Sequence, residues 1–238
     1  MQKTGNSPEV VSSQRGVHVR LTELVQKHAR SLYRKPIAQV SFAEFKKVEA
    51  LRKNFGGPFI LDSGCGTGES SRILAEKFPQ AWVLAVDKSD FRLSKASTGA
   101  NPCNLLFLRM DLVDFWLLSF QAQLRFAKQY FFYPNPWPKP EHLMRRWHAH
   151  PVFPLVLGGG GVLELRTNWQ IYAKEWALAW QVLTGQAPEV TPHVPSEVLS
   201  AHERKYKVSG HGLWTCCSEV PQTFSVQSQI NLASRSLA

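Results

Sequence analysis

The sequence predicts a doubly wound α/β fold: a Rossmann-like, mostly parallel sheet preceded by an N-terminal helical extension. Three observations carry this. Short apolar runs alternate with helical stretches after the Gly56-Gly57-Pro58 break, the pattern of parallel strands joined by crossover helices. A glycine-rich turn follows the first run, and an acidic residue (Asp62, Asp87, Asp111) stands at the end of each of the first three, where such sheets bind ligands. With 238 residues and 44% hydrophobic composition, the chain can bury one sizeable core but not two full domains.

Residues 1–16 are polar and without period and are expected to be disordered, as is the Ser- and Gln-rich tail 221–238. Neither end is expected to carry chemistry. Residues 17–55 read as two helices. Leu21, Leu24, Val25 and His28 share one face, and Ser41-Phe42-Ala43-Glu44 reads as a capping box ahead of Phe45, Val48 and Leu51. Residues 56–220 form the main domain. Its strands are expected at Phe59 to Leu61, Trp82 to Val86, Leu105 to Arg109, Gln129 to Phe132 and Val162 to Arg166, with a final edge strand around Leu213 to Val220. Helices are expected over Glu69 to Phe78, Phe91 to Ala96, and Ile171 to Leu183 with Asn168 as cap.

The most informative stretch is Leu61-Asp62-Ser63-Gly64-Cys65-Gly66-Thr67-Gly68-Glu69, a strand running into a turn that opens a helix. Glycines suit such a turn because side chains would clash there or hold a ligand off the backbone amides. The spacing is G-x-G-x-G, not the G-x-G-x-x-G of dinucleotide sites, which shifts the reading from NAD to S-adenosylmethionine, a nucleoside cofactor without phosphate. Gly64, Gly66 and Gly68 would line it, Asp62 stands just ahead, and Asp87 would accept from both ribose hydroxyls. Asp111 reads equally as an acceptor for the adenine amine or as a loop cap.

After the fourth run comes Tyr133-Pro134-Asn135-Pro136-Trp137-Pro138-Lys139, stiffened by three prolines. It would present a polar group, Asn135, and an aromatic ring, Trp137, to a flat base. His142, Arg145, Arg146 and His148 behind it are expected to form a basic helix, with Arg145 and Arg146 on backbone phosphates.

These stretches resemble the tRNA (guanine-N7-)-methyltransferase family, whose loop usually reads F-P-D-P-W followed by a lysine and a basic helix. The resemblance runs from Asp62 to Trp214. It takes in the glycine element, Thr167-Asn168-Trp169, and Ser200-Ala201-His202-Glu203, where family members carry T-[KR]-[FY]-E. It implies the class I methyltransferase fold and methyl transfer from S-adenosylmethionine to N7 of a guanine in tRNA. It also implies cofactor contacts from Asp62, Gly64, Asp87 and Asp111, RNA contacts from Lys139, Asn168, Ser200 and Glu203, and Asn135 nearest the chemistry. Two positions depart from the family, which usually has aspartate at Asn135 and at Asn168. Two alternatives follow: the same fold with another acceptor, or an RNA-binding relative of weak catalysis.

Lysines and arginines outnumber acidic residues 28 to 18, a formal charge of +10, which favours a nucleic acid over an acidic partner. Cys65, Cys103, Cys216 and Cys217 lack disulfide or zinc spacing, and Cys65 reads as a small buried residue. The histidines lack metal-ligand spacing. No signal or membrane-spanning pattern is visible, so the expected location is the cytoplasm, with tRNA as partner, no metal, no membrane, and a monomer or homodimer. Of eight tryptophans, Trp169, Trp176 and Trp180 read as packing, and Trp137 alone as a substrate contact.

Overall fold

The computed structural model describes residue 5 and residues 7–96 and 100–226. Positions 1–4 and 6 of the N-terminal segment and 227–238 of the tail lie outside the described residues. In chain order the elements are α1 (Leu21–Ala29), α2 (Gln39–Asn54), β1 (Phe59–Ser63), α3 (Glu69–Lys77), β2 (Trp82–Asp87), α4 (Asp90–Ala96), β3 (Leu105–Arg109), α5 (Leu112–Gln121), β4 (Lys128–Phe132), α6 (Phe153–Gly158), β5 (Val162–Thr167), α7 (Gln170–Thr184), β6 (Val190–Pro192), α8 (Ala201–Val208) and β7 (Trp214–Glu219).

The strands form one seven-stranded sheet in the order β3-β2-β1-β4-β5-β7-β6. β1 to β5 are parallel, while β7 runs antiparallel to both β5 and β6. The chain works outward from β1 through β2 to β3, then returns to β1's other side with β4. That reversal opens a crevice at the carboxyl ends of β1 and β4, the place where doubly wound sheets hold ligands.

Alternation along the strands divides the core into two layers. Phe59, Leu61, Leu84, Val86, Leu108 and Phe131 pack with α1, α2, α5, α6 and α7. Ile60, Val83 and Tyr130 meet Leu74 and Ala75 of α3 on the other face, where Ala85 meets Leu93 of α4. α5 was not apparent from periodicity because nearly its whole surface is buried, Leu112 through Ser119; a helix apolar all round shows no stripe.

Four expectations change. Asn168 does not cap α7, whose N-cap residue is Trp169 with no capping side-chain hydrogen bond. Ser41 does not cap α2. The helix begins two residues earlier, and the Ser41 hydroxyl donates to the buried Asp114 carboxylate at 2.7 Å. The last strand, β7, is interior, because the three-residue β6 covers its outer side. The basic helix is instead two 3-10 turns, Pro140–Arg145 and Trp147–Ala149. A groove of about 510 Å³ lies between α2 and the C-terminal end of α5, lined by Phe45, Val48, Arg52 and Leu124. It faces the amino edge of the sheet, away from the crevice.

Gly161 shows how tightly the amino edge is built. Its φ is 72°, and a Cβ there would sit 2.2 Å from the Phe126 carbonyl oxygen. Gly185, at φ 77°, faces open space. Gly185→Ala is expected to cost about 1–2 kcal/mol, the left-handed backbone penalty alone. Gly161→Ala adds a clash with main chain and should cost at least about 2 kcal/mol more; equal urea midpoints for the two variants would contradict this.

Candidate active site

The glycine turn is built by backbone geometry. Gly64, Gly66 and Gly68 have φ of 78°, 59° and 75°, a region other residues enter at a cost. Their needs differ. A Cβ on Gly68 would strike the Phe107 ring at 2.6 Å, so this glycine serves packing; one on Gly66 meets nothing within 4 Å and one on Gly64 only Leu112 at 4.0 Å. These two therefore border an open cradle. The amides of Gly64 and Cys65 donate to the Val86 carbonyl at 2.8 and 3.1 Å, which moors the turn to the tip of β2.

Asp62 and Asp87 share one face of the sheet, since Asp62 pairs with Ala85, two residues before Asp87. Asp62 is buried and accepts from the hydroxyls of Ser70 and Ser71, both at 2.6 Å, so it clamps the start of α3 to β1. Burial raises its pKa, an effect the two serines oppose and the neighbouring Asp87 reinforces. Asp87 accepts from the Gly66 amide at 3.0 Å and the Ser89 amide at 2.8 Å, with Arg92 at 3.6 Å. Asp111 begins α5, where its carboxylate accepts from the Val113 amide at 2.9 Å. Cys65 is buried, and its thiol is pushed up well above its ordinary value by burial and then by Asp62 and Asp87; it stays protonated and unreactive.

The proline loop leaves β4 with two non-glycine residues at positive φ, Tyr133 (52°) and Trp137 (45°). Such strain persists only where surroundings enforce it. Asn135 is exposed, and its Oδ1 accepts from the Trp137 amide at 3.2 Å. The Arg145 guanidinium lies 4.7 Å from the centre of the Trp137 ring, which also meets His142 edge-on. Lys139 and Arg145 face solvent.

Arg146 does not. Its side chain and that of Glu175 have no exposed surface, and Nη1 donates to Glu175 at 2.5 Å. The remaining donors reach the carbonyls of Trp137 and Lys139 and the side chain of Gln14. The sequence assigned Arg146 to phosphates; instead it holds the proline loop from beneath. Glu175 also receives His148 Nε2, Gln14 Nε2 and the His18 amide. Burial would raise its pKa, but the His148 hydrogen bond and the Arg146 charge hold it at about 2.

Glu203 is a second buried hub. It accepts from Tyr133, Arg166, His193 and the Leu199 amide at 2.7 to 3.1 Å, and against the penalty of burial these hold its pKa at about 2. Ser200 caps α8, accepting from the Glu203 amide at 3.2 Å. Arg204 joins Glu69 at the start of α3, so α8 bridges the two halves of the crevice. Asn168, just past β5, bonds His211.

Unforeseen in the sequence is the part played by the N-terminal segment. The Ser12 hydroxyl donates to the Pro138 carbonyl at 2.5 Å, the His211 ring donates to the Ser7 carbonyl at 2.9 Å, and Gln14 joins the Arg146–Glu175 pair. No periodicity marks these residues because scattered hydrogen bonds, with Val10 packed against the core, hold the segment.

An acidic tip on β2, an open glycine cradle without phosphate-site spacing and an adjoining stiff loop stand at one edge of a doubly wound sheet, an arrangement that suits a transferase with a nucleoside cofactor. The chain belongs to the methyltransferase family described as "Putative methyltransferase", whose profile matches residues 56–216. It is 27% identical over 168 residues to a Yersinia pestis protein named tRNA (guanine-N(7)-)-methyltransferase, covering 66% of this chain and 70% of that one. A Salmonella typhimurium protein of the same name is 26% identical over 200 residues, covering 79% and 83%. Among solved structures, the 16S rRNA methyltransferase KamB is similar at a TM-score of 0.51 and 17% identity, covering 78% of this chain and 95% of that one; this is a likeness of fold.

Removing Arg146 leaves a buried carboxylate without its cation. Arg146→Met should cost about 3–5 kcal/mol in urea unfolding, and adding Glu175→Met should recover part of it; a loss under about 1 kcal/mol would contradict the pairing. Acid gives a second check. Glu175 and Glu203 sit at about 2 against an ordinary 4.5. The stability they confer is complete above that ordinary value and lost as pH falls toward 2. Melting temperature should drop across pH 5 to 2, and less steeply in the double methionine variant.

Proposed function

We propose that this chain transfers the methyl group of S-adenosylmethionine to N7 of a guanine in tRNA. One observation carries the reading: the cradle at Gly64 and Gly66, the buried Asp87 and the proline loop bearing Asn135 and Trp137 meet at one sheet edge. The names of the curated relatives support the same acceptor. Residues 56–220 would act as the catalytic unit, in the cytoplasm, as a monomer or homodimer.

The residues suit this cofactor. A Cβ on Gly66 would enter the space beside Asp87, whose carboxylate matches a pair of ribose hydroxyls; Asp62 sets the turn, and Asp111 borders the adenine side. The bound cofactor supplies a methyl group on a positively charged sulfur. Guanine N7 attacks through an in-plane lone pair and carries no proton, so no side chain acts as a base. The chain's contribution is placement: Trp137 offers a face to the base, Lys139 and Arg145 offer charge to phosphates, and Arg146 with Glu175 fixes the loop that carries them. Ser200 and Glu203 shape this wall by capping and anchoring α8. The neutral Asn135 gives less help than a carboxylate as positive charge moves onto the base.

Two further readings rest on Asn135 and Asn168 standing where the resembled family has aspartate: a different acceptor, or RNA binding with little turnover. Unmodified tRNA incubated with the chain and labelled cofactor, then digested for nucleoside mass spectrometry, should yield 7-methylguanosine. Label in another nucleoside, or in protein alone, would favour a different acceptor, and failure to bind the cofactor in calorimetry would favour the RNA-binding reading. Asp87→Ala should weaken cofactor binding about 10- to 100-fold. Asn135→Asp keeps an oxygen for the Trp137 amide and restores charge, so turnover should rise roughly 5- to 100-fold, on the order of 1–3 kcal/mol; unchanged turnover would show the charge to be irrelevant.

A further inference from the structure

Asn168 follows directly on β5, and its side-chain nitrogen lies 3.1 Å from Nδ1 of His211. The other ring nitrogen, Nε2, lies 2.9 Å from the Ser7 carbonyl oxygen. A carbonyl only accepts, so the proton of the neutral ring sits on Nε2, and Nδ1 presents a lone pair. That lone pair requires a donor, which only the NH2 end of the Asn168 amide supplies. Oδ1 is thereby turned away from His211, and among the described residues it receives no hydrogen bond. Tyr206 stacks on the imidazole at 5.1 Å with planes 21° apart, which fixes the ring.

Asn135 is set the opposite way. Its Oδ1 is engaged by the Trp137 amide, leaving its NH2 group for a ligand. Phe132 pairs with Arg166 across β4 and β5, so Asn135 and Asn168 stand three and two residues beyond a paired position on adjacent strands. Past the ends of two adjacent strands, Asn135 thus keeps its amide donor and Asn168 its carbonyl acceptor unengaged among the described residues.

We infer that His211 is a positioning residue that locks Asn168 with its carbonyl oxygen outward, so that the acceptor site selects a base edge carrying N–H donors, the N1–H and amino group of a guanine. This rests on the acceptor site proposed above and names what that site reads. A guanine whose N7 faces the methyl donor keeps the N1–H and amino edge free for Asn168. Adenine in the same seat presents a lone pair at N1 and a C2–H where guanine has N1–H and its amino group, and carries its own amino group where guanine has O6. The carbonyl is left unmatched, a mismatch on the order of one hydrogen bond, or about tenfold in affinity.

The test uses binding, not methyl transfer, so a chain that methylates some other acceptor still answers it. The full chain, saturated with S-adenosylhomocysteine, is titrated with GMP, IMP and AMP. The expected order is GMP over IMP over AMP, with GMP about tenfold tighter than AMP. His211→Phe keeps the stacked ring but removes both hydrogen bonds, and should collapse the GMP-to-AMP ratio toward one with cofactor affinity unchanged. His211→Gln carries an acceptor and a donor on one carbon, as the ring's two nitrogens flank one carbon, and should restore the ratio to within about threefold. Nitrogen NMR should find the His211 proton on Nε2. A proton on Nδ1, no guanine preference in the unaltered chain, or a ratio that His211→Phe leaves intact would each overturn the inference. Absence of 7-methylguanosine from treated tRNA, with the GMP preference present, would sink only the preceding proposal.

Discussion

Glu175 lies where an unpaired carboxylate would be several kcal/mol too costly to keep ionised, and the acceptor loop hangs from the cation that keeps it so. Arg146 spends one nitrogen on Glu175 and turns the rest to the carbonyls of Trp137 and Lys139 and to Gln14. Trp137 at φ 45° is a conformation the loop would leave if free. The buried pair holds it there, which makes α7, a packing helix by every sequence measure, the mechanical support of the proline loop. His18 and Gln14 bond the same carboxylate, so the N-terminal segment joins the support.

The crevice has a second such anchor. Glu203 gathers Tyr133 from the proline loop, Arg166 from β5 and His193 from the segment before α8, while Arg204 ties the same helix to Glu69 at the mouth of the glycine turn. The glycine turn and the proline loop are thus fastened together through α8. Buried carboxylates do this better than apolar contacts because each accepts several donors in fixed directions, which sets geometry as well as proximity. The arrangement prepares the site before any ligand arrives, and in the proposed reaction, which needs no proton transfer from its acceptor, alignment is most of what a protein can contribute.

The sheet's parallel part was legible because β1 to β5 are short apolar runs between turn signals, and each expected strand lies within two residues of the structure at either end. β6 was not, since three residues with one proline give no alternation. The cofactor edge was legible because a glycine spacing and strand-end carboxylates are local features. The acceptor side was read only in part. Asn135, Trp137 and Lys139 are contiguous and could be seen together, but the inward turn of Arg146 follows from Glu175, 29 residues on, and the buried state of Glu203 from Arg166, 37 residues back. Sequence patterns report the exposure of a charged side chain poorly when its partner is distant, because charge alone argues for the surface.

The two asparagines bear on how such a site divides its work between holding and transferring. Carboxylates at both positions would attract a base that is gaining positive charge, and would repel the phosphates that bring it there. Amides remove both effects at once. On the proposed reading, a chain with a formal charge of +10 draws the RNA backbone without help from these two positions, while the amides give less help at the moment of transfer. What the amides offer in exchange is direction. Asn135 is held as a donor by its own loop and Asn168 as an acceptor by His211, and a fixed donor and acceptor distinguish one base edge from another in a way that two carboxylates, which only accept, do not. On that reading, a site so built favours recognition over rate.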